Sequence, residues 1–222
     1  MDKLRALTDQ TIDEPVEKST TLLLVRHGKT PTTGTVLPGR ASGLHLSDEG
    51  VRQSEELVNE LKSIDKFSAI YCSPLERARE TASPLAQARS IEPTIDERLY
   101  ECDFGEWTGR RLDELSKLKE WQIVQQAPSK FRFPKGESFR EMSTRTIDFL
   151  DFVHIKHRGE VVVAFSHADP IKALIAHCLG IHLDSFQRLV ISTAGVSAIS
   201  ITNVGNYVLY VNRTPSPNTK VS

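Results

Sequence analysis

The chain has 222 residues, and its 28 Lys and Arg nearly balance its 29 Asp and Glu, giving a formal net charge of −1. This length suits one large α/β domain or two small ones, and the near-neutral charge argues against a nucleic-acid-binding protein. No run of about 18 apolar residues is present, so no membrane partner is expected. The cysteines Cys72, Cys102 and Cys178 are too few and too widely spaced for a disulfide framework or a zinc motif, which favours a cytoplasmic protein.

Both ends of the chain are polar and lack apolar periodicity. Residues 1–19 are charged and contain Pro15, and residues 213–222 contain two prolines. The sequence therefore predicts a mobile N-terminal arm and a mobile tail. No repeat or low-complexity block interrupts residues 20–212, which favours a single domain.

Strand and helix patterns alternate in the first half of the domain. A continuous apolar run predicts a first strand that is buried on both faces. Ser47 and Ser73 are the expected N-caps of the two helices. The predicted elements are a strand at 21–25, a helix at 48–64, a strand at 67–72 and a helix at 74–89.

The second half continues the alternation and then changes to consecutive strands. The predicted elements are a helix at 137–157, a strand at 160–165, a helix at 170–179 closed by Gly180, and strands at 188–191, 195–202 and 207–212. A turn at 203–206 joins the last two strands. The alternation predicts an α/β fold with a mostly parallel central sheet, helices on both faces and a terminal antiparallel strand.

Basic side chains follow the three predicted buried strands, where a sheet of this kind binds its ligands. Arg26 and His27 follow the first strand, Arg77 the second and His167 the third. Arginine presents fixed planar donors to a tetrahedral oxyanion and keeps its charge. The positive charge favours the neutral, nucleophilic form of a neighbouring histidine. The pattern therefore indicates a site for a phosphate dianion.

Five motifs stand at the predicted strand ends and in the loops between them. They read Leu-Val-Arg-His-Gly-Lys-Thr at 24–30, Ser-Pro-Leu-Glu-Arg-Ala-Arg-Glu-Thr-Ala at 73–82, Leu-Tyr-Glu-Cys-Asp-Phe-Gly-Glu-Trp-Thr-Gly at 99–109, Gly-Glu-Ser at 136–138 and Ser-His at 166–167. Together they resemble the histidine phosphatase superfamily, in its phosphoglycerate mutase-like branch, from about residue 21 to residue 210. The resemblance implies the phosphoglycerate mutase-like α/β fold, with residues 112–135 as a cap segment over the phosphate.

The resemblance also implies a two-step phosphoryl transfer. His27 would attack phosphorus and form a phosphohistidine, while Arg26, Arg77 and His167 would bind the phosphoryl oxygens. Glu101 would protonate the leaving group and then deprotonate the attacking water, which requires a raised pKa. No metal and no other cofactor is implied, because the arginines supply the positive charge.

Two residues depart from the family pattern. Relatives usually carry Asn where Thr33 stands, and Gly where Ala168 follows the second histidine. Thr33 still offers a hydroxyl and is kept as a phosphate-binding candidate, and neither change removes the nucleophile or the acid. The resemblance also implies that the loop at 37–43 and the cap segment determine substrate specificity. The candidates there are Gly39, Arg40, Trp121 and Phe131.

These residues favour a metal-independent phosphomonoester hydrolase, of the histidine acid phosphatase type, whose partner is a small phosphorylated metabolite. A cofactor-dependent phosphoglycerate mutase shares the same catalytic core, but mutases of this branch carry a longer insert that this chain lacks. A third interpretation is a catalytically inactive phosphate-binding or scaffold domain, which the presence of both His27 and Glu101 disfavours. Formation of a homodimer stays open.

Two other patterns indicate different chemistry and are weaker. Gly28-Lys29-Thr30 resembles the end of a phosphate-binding P-loop, but the glycine required five positions earlier is Leu23. His154 and His157 lie three residues apart on a predicted helix, yet no third ligand is spaced to complete a metal site. A solvated helix end is expected there instead.

Overall fold

The computed structural model describes residues 18–214, and the expected arm and tail therefore lie almost entirely outside the described residues. The strands are β1 (Thr20–Arg26), β2 (Ala69–Cys72), β3 (Thr94–Ile95), β4 (Val161–Ser166), β5 (Val196–Thr202) and β6 (Gly205–Arg213). The α-helices are α1 (Asp48–Glu60), α2 (Glu76–Arg89), α3 (Leu112–Leu115), α4 (Lys119–Gln126), α5 (Phe139–Lys156) and α6 (Ala168–Cys178). Within residues 18–214, no helix has the length and apolar character to cross a membrane.

The six strands form one sheet in the order β3-β2-β4-β1-β5-β6. Strands β1 to β4 are parallel, whereas β5 is antiparallel to β1 and β6 is antiparallel to β5. This confirms the predicted α/β class with a mostly parallel sheet and an antiparallel end. The register pairs Val25 and Cys72 with Phe165, so the residues that follow β1, β2 and β4 leave the sheet side by side.

Helices cover the sheet on both faces because β1 presents alternate apolar residues to each. Leu23 and Val25 pack in a cluster with residues of α1 and α2, and Leu22 and Leu24 pack in a second cluster with residues of α5 and α6. A strand that buries both faces is apolar at every position, as the sequence indicated. The central strands are therefore rigidly held, and so are the residues that follow them.

Two of the helices begin with the side-chain caps that stabilise helix N-termini. The Ser47 hydroxyl accepts a hydrogen bond from the backbone N–H of Gly50, which confirms the predicted N-cap of α1. Ser138 and Glu141 form a reciprocal capping box at the start of α5. The predicted cap of α2 at Ser73 is wrong, because α2 begins only at Glu76 and the Ser73 hydroxyl hydrogen-bonds to a histidine instead.

The C-terminal part of the sheet also differs from the prediction. No strand forms at 188–191, because residues 183–188 form a 3₁₀ helix and Ile191 turns its carbonyl to an arginine side chain. The two-residue edge strand β3 was not predicted, since its exposed residues carry no apolar pattern. Arg213, predicted in the tail, lies in β6 and forms an ion pair with Glu60 at 2.6 Å.

Candidate active site

The parallel register brings the predicted histidines and arginines to one edge of the sheet. His27 follows β1, Arg77 lies in the first turn of α2, and His167 is the N-cap residue of α6. The His27 backbone N–H donates to the carbonyl of Ser166 at 3.0 Å, and the rings of His27 and His167 have centroids 5.2 Å apart. The two loops that carry the histidines are therefore joined directly.

The protonation of His27 is set by its backbone neighbour and by its burial. Its Nδ1 lies 2.7 Å from the carbonyl oxygen of Gly28, and a carbonyl only accepts, so Nδ1 carries the proton and Nε2 the lone pair. Burial, together with the positive charges of Arg77 and Arg26, lowers the pKa of His27 to about 3. The imidazole is therefore neutral near neutral pH and presents a nucleophilic nitrogen.

The Gly28 carbonyl is itself held in place by close backbone packing. The Gly28 N–H donates to the Thr81 hydroxyl at 2.8 Å, and that hydroxyl donates to the carbonyl of Arg77 at 2.6 Å. A Cβ at Gly28 would approach the carbonyl of Gly50 to 2.7 Å. Glycine is thus required at position 28 because the start of α1 packs against the loop that bears His27.

Two arginine side chains offer donors that the described protein leaves free. Arg77 is fully buried and donates from Nη2 to the carbonyl of Gly39, while its Nε and Nη1 have no acceptor. Arg26 donates from Nη1 to the carbonyl of Ile191, and its Nε has no acceptor. Buried donors without acceptors are costly, and the tetrahedral oxygens of a phosphoryl group would satisfy them.

His167 adds a neutral donor to the same site. Its Nε2 lies 2.8 Å from the Ser73 hydroxyl, and its buried Nδ1 has no partner among the described residues. Burial first, and then the charge of Arg77, lowers the pKa of His167 well below its usual value. When Ser73 donates to Nε2, Nδ1 carries the proton and can donate to an oxyanion.

Glu101 is buried at the same edge and has the raised pKa that an acid requires. Its Oε1 accepts from the backbone N–H of Cys102 at 2.9 Å. Burial raises the pKa of Glu101 to about 7, and the neighbouring Asp169 carboxylate acts in the same direction. Arg77 and Arg26 oppose this shift without cancelling it. The carboxyl group is therefore poised to give and take a proton near neutral pH.

The two departures from the family pattern lie at the wall of the site. The Thr33 hydroxyl accepts from the backbone N–H of Thr30 at 2.9 Å and is 3.0 Å from the Thr30 hydroxyl, so it braces its own loop. Ala168 is the first residue of α6. Both residues line the cleft that contains His27 and Glu101.

That cleft has a volume of about 390 Å³ and a lining of both apolar and polar residues. Leu37, Pro38 and Leu112 are among the apolar ones. Asp169, Lys172 and Gln187 are among its polar lining residues, and Lys172 forms an ion pair with Asp169 at 3.4 Å and donates a hydrogen bond to Gln187 at 3.0 Å.

The four residues expected to determine specificity do not line this cleft. Gly39 holds Arg77 through its carbonyl, and the Arg40 guanidinium donates to the carbonyl of Glu101. Trp121 and Phe131 pack on Trp107, with ring centroids 6.2 and 5.3 Å away, in an aromatic cluster within the cap segment. Both side chains are half-buried in this cluster, and their role in specificity stays a prediction.

His154 of α5 and His157, the residue at the C-terminal cap of α5, both hydrogen-bond within the protein. His154 hydrogen-bonds to Asn203, and His157 lies between the hydroxyl of Tyr71 at 2.9 Å and the carboxylate of Glu160 at 2.7 Å. Among residues 18–214 no group of three or more His, Cys, Asp or Glu side chains is arranged to hold a metal ion. His157 is buried rather than solvated, which corrects the expectation of a solvated helix end.

Sequence reasoning missed three residues that support the site. Ser73 and Thr81 belong to a recognised motif, but their contacts with His167 and Gly28 join segments far apart in the chain. Asp169 follows Ala168, two residues after His167, and this place in the sequence could have identified it as a residue of the site. All three act through tertiary contacts that local patterns do not encode.

Comparison with known proteins agrees with this geometry. A family model described as the histidine phosphatase superfamily (branch 1) matches residues 22–214. Phosphoserine phosphatase 1 of Hydrogenobacter thermophilus is 32% identical over 198 residues, which cover 87% of this chain and 92% of the relative. The 2,3-bisphosphoglycerate-dependent phosphoglycerate mutase of Thermoplasma acidophilum is 27% identical over 181 residues, covering 81% and 86%.

Solved structures share the fold over most of the chain. A putative alpha-ribazole-5'-P phosphatase from Escherichia coli matches with a TM-score of 0.77 and 25% identity, covering 88% of this chain and 97% of that one. A mycobacterial glucosyl-3-phosphoglycerate phosphatase has a TM-score of 0.79 at 21% identity, with coverages of 87% and 99%, and shows the fold alone. Because the family match extends over nearly all the described residues, this protein belongs to the histidine phosphatase superfamily, among enzymes that are phosphatases or phosphoglycerate mutases.

Proposed function

We propose that the protein is a phosphomonoester hydrolase that acts on a small phosphorylated metabolite through a phosphohistidine at His27. The observation that carries this proposal is the hydrogen bond from Nδ1 of His27 to the carbonyl of Gly28, which leaves Nε2 as a nucleophile. Arg26 and Arg77 beside it supply positive charge, so the proposed reaction needs no metal.

In the first step, Nε2 of His27 attacks phosphorus opposite the leaving oxygen. The N–P bond forms as the P–O bond to the leaving group breaks. The free donors of Arg26, Arg77 and His167 stabilise the charge on the equatorial oxygens. The protonated carboxyl of Glu101 gives its proton to the departing oxygen, which leaves as an alcohol.

In the second step, Glu101 acts in the opposite direction. The carboxylate formed in the first step takes a proton from water as the water oxygen attacks phosphorus. The N–P bond breaks, inorganic phosphate is released, and His27 and Glu101 return to their starting states. A pKa of about 7 suits a group that must be both acid and base near neutral pH.

A phosphatase is favoured over a mutase by the relatives. The short cap between Gly109 and α5, with α3, α4 and one 3₁₀ turn at 128–130, does not decide between them, because the compared mutase aligns over 86% of its own length. Two of the compared relatives are named as phosphatases that act on phosphoserine and alpha-ribazole-5'-P. The remaining alternative is a mutase, since one relative is a phosphoglycerate mutase.

The proposal is tested by hydrolysis of 4-nitrophenyl phosphate in the presence of EDTA. We expect the wild type to keep its activity and His27→Ala to lose at least about 10³-fold in kcat. His177→Ala, which changes an exposed histidine of α6, is the matched control and should stay active. Turnover by His27→Ala, or complete dependence on a divalent metal, contradicts the proposal.

A second assay separates the two reactions and narrows the substrate. Interconversion of 3-phosphoglycerate is measured with and without 2,3-bisphosphoglycerate, and phosphate release is measured from sugar phosphates, phosphoglycerates and phosphoamino acids. We expect net phosphate release from at least one metabolite and no efficient interconversion. Interconversion that exceeds hydrolysis assigns the protein to the mutases.

A further inference from the structure

The proposed acid Glu101 lies on a loop that has no regular secondary structure to fix it. It stands between the 3₁₀ turns Glu97–Leu99 and Gly105–Trp107. A general acid must lie within hydrogen-bond reach of the oxygen it protonates, and small displacements cost activity. Other parts of the protein must therefore hold this loop in place.

Two guanidinium groups donate to the backbone carbonyl of Glu101. Arg40 reaches it from Nε at 3.0 Å, and Arg145 reaches it from Nη2 at 3.1 Å. Arg145 also donates from Nη1 to the carbonyl of Arg98 at 2.7 Å. The loop is thus bound on two sides, by a residue of the loop that follows β1 and by a residue of α5.

The carboxylate of Glu137 joins the two arginines to each other and to the loop. Its Oε1 accepts from Nη2 of Arg145 at 2.7 Å and from Nη2 of Arg40 at 3.1 Å. The same oxygen accepts from the backbone N–H of Asp103 at 2.9 Å. The side chains of Arg145 and Glu137 are only 16% and 14% exposed, so water competes little for these bonds.

This arrangement also selects which oxygen of Glu101 can transfer a proton. Oε1 accepts from the N–H of Cys102, the peptide group whose carbonyl belongs to Glu101 and is held by the two arginines. Fixing that peptide group therefore fixes Oε1, and Oε2 is left to carry the proton. The orientation of the carboxyl depends on the arginines although neither contacts it.

We propose that Arg145, Glu137 and Arg40 form a positioning unit that aligns the Glu101 carboxyl for proton transfer to the leaving group. This inference rests on the proposed function, because it assumes that Glu101 is the acid. It reassigns Arg40, which the sequence placed among the specificity candidates, to the support of the acid.

The test compares two substrates of similar shape whose leaving groups differ in their need for a proton. Nitrophenolate leaves from 4-nitrophenyl phosphate without much assistance, whereas the alkoxide of benzyl phosphate must be protonated. For Arg145→Gln we expect kcat/KM to fall by roughly 10- to 100-fold for benzyl phosphate and by less than about 3-fold for 4-nitrophenyl phosphate. The parameter kcat/KM reports the step that forms the phosphohistidine.

A double-mutant cycle with Glu101→Gln distinguishes positioning from general support of the fold. In the Glu101→Gln background, Arg145→Gln should lower benzyl phosphate turnover by no more than about 2-fold, because the group it aligns is already gone. Arg40→Gln removes one of the two donors to the carbonyl of Glu101. It should also lower kcat/KM more for benzyl phosphate than for 4-nitrophenyl phosphate, but by a smaller factor than Arg145→Gln does. This more exposed site provides a second variant if Arg145→Gln folds poorly.

Arg132→Gln is the matched control. Arg132 pairs with Glu141 and donates to the carbonyl of Gly136, next to Glu137, but its side chain is 58% exposed and does not contact the acid loop. Its ratio of kcat/KM for the two substrates should equal that of the wild type.

Two outcomes overturn the positioning role alone. One is that Arg145→Gln lowers kcat/KM equally for both substrates. The other is that its effect on benzyl phosphate is undiminished in the Glu101→Gln background. If Glu101→Gln lowers kcat/KM equally for both substrates, Glu101 is not the acid, and the positioning role fails as well.

Discussion

At the scale of single residues, opposite protonation states arise from the same buried pocket. Burial and two arginines keep His27 neutral, whereas burial and Asp169 keep the Glu101 carboxyl protonated up to about pH 7. Loss of water disfavours the charged form of either group, so one environment yields a neutral imidazole and a neutral carboxyl group. The surrounding charges then adjust each group separately.

Asp169→Asn tests whether the charge of Asp169 raises the pKa of Glu101. The Asp169 carboxylate raises the pKa of Glu101, and removing its charge lets Arg77 and Arg26 lower that pKa. The protonated acid is then lost at lower pH, so we expect the alkaline decline of kcat/KM for benzyl phosphate to begin at a lower pH than in the wild type. Asp151→Asn, at an exposed position of α5, is the control. An unchanged or upward-shifted decline contradicts the role of Asp169.

The residues that meet at the candidate site were predictable because each is adjacent to a strand end or belongs to a motif. The contacts of Arg40 were not, since they involve Glu137, which lies 97 positions away in the chain. Arginine near a phosphate site is equally compatible with binding substrate and with holding a loop. Only the three-dimensional contacts decide between these roles.

At the scale of secondary structure, the loop that bears His27 and the start of α1 are packed backbone to backbone. The carbonyl of Lys29 accepts from the N–H of Ser47 at 2.9 Å, and a Cβ at Gly50 would lie 2.1 Å from that same carbonyl. A glycine early in a helix ordinarily weakens it. The lack of a side chain at Gly50 is what allows the close approach.

Gly50→Ala separates helix propensity from this packing. Propensity alone predicts a gain of about 1 kcal/mol in the free energy of unfolding. Because the new methyl group would collide with backbone that cannot move aside cheaply, we expect a net loss of stability in urea unfolding and reduced turnover of 4-nitrophenyl phosphate. A variant as stable as the wild type, or more stable, contradicts the packing argument.

Elements with a complete local signal were predicted well, and those shaped by the site were not. Strand β1 and helices α1 and α5 have continuous or periodic apolar residues. The apolar residues at 189–191 resemble a strand, but they line the cleft and Ile191 holds Arg26. The helix cap expected at Ser73 failed for a related reason, because its hydroxyl contacts His167.

At the scale of the whole molecule, the sheet order concentrates charge that the composition conceals. The order β2-β4-β1 places three strand ends together. Arg26 at the end of β1, and His27, Arg77 and His167 beyond the three strands, meet there. The total charge stays near neutral because other residues balance it. The buried polar groups of this site lower the stability of the fold relative to an apolar core.

Glu101→Gln measures how much the buried Glu101 carboxyl group lowers stability. The folded state raises the pKa of Glu101 from 4.5 to about 7, so it binds a proton that the unfolded chain releases between these values. The wild type therefore loses stability relative to the variant as pH rises from about 4.5 to 7, by roughly 3 kcal/mol. We expect Glu101→Gln to raise Tm at pH 8 much more than at pH 5. An equal change at both values contradicts the raised pKa.

The account as a whole depends on a covalent phosphoenzyme at His27. Enzyme mixed with 4-nitrophenyl phosphate is quenched within one turnover, and the site of an acid-labile, base-stable phosphoryl group is found by mass spectrometry. We expect the label on His27, its absence in His27→Ala, and greater accumulation in Glu101→Gln, where the water is no longer deprotonated. A label on another residue, or turnover by the wild type without any phosphoenzyme, contradicts the account.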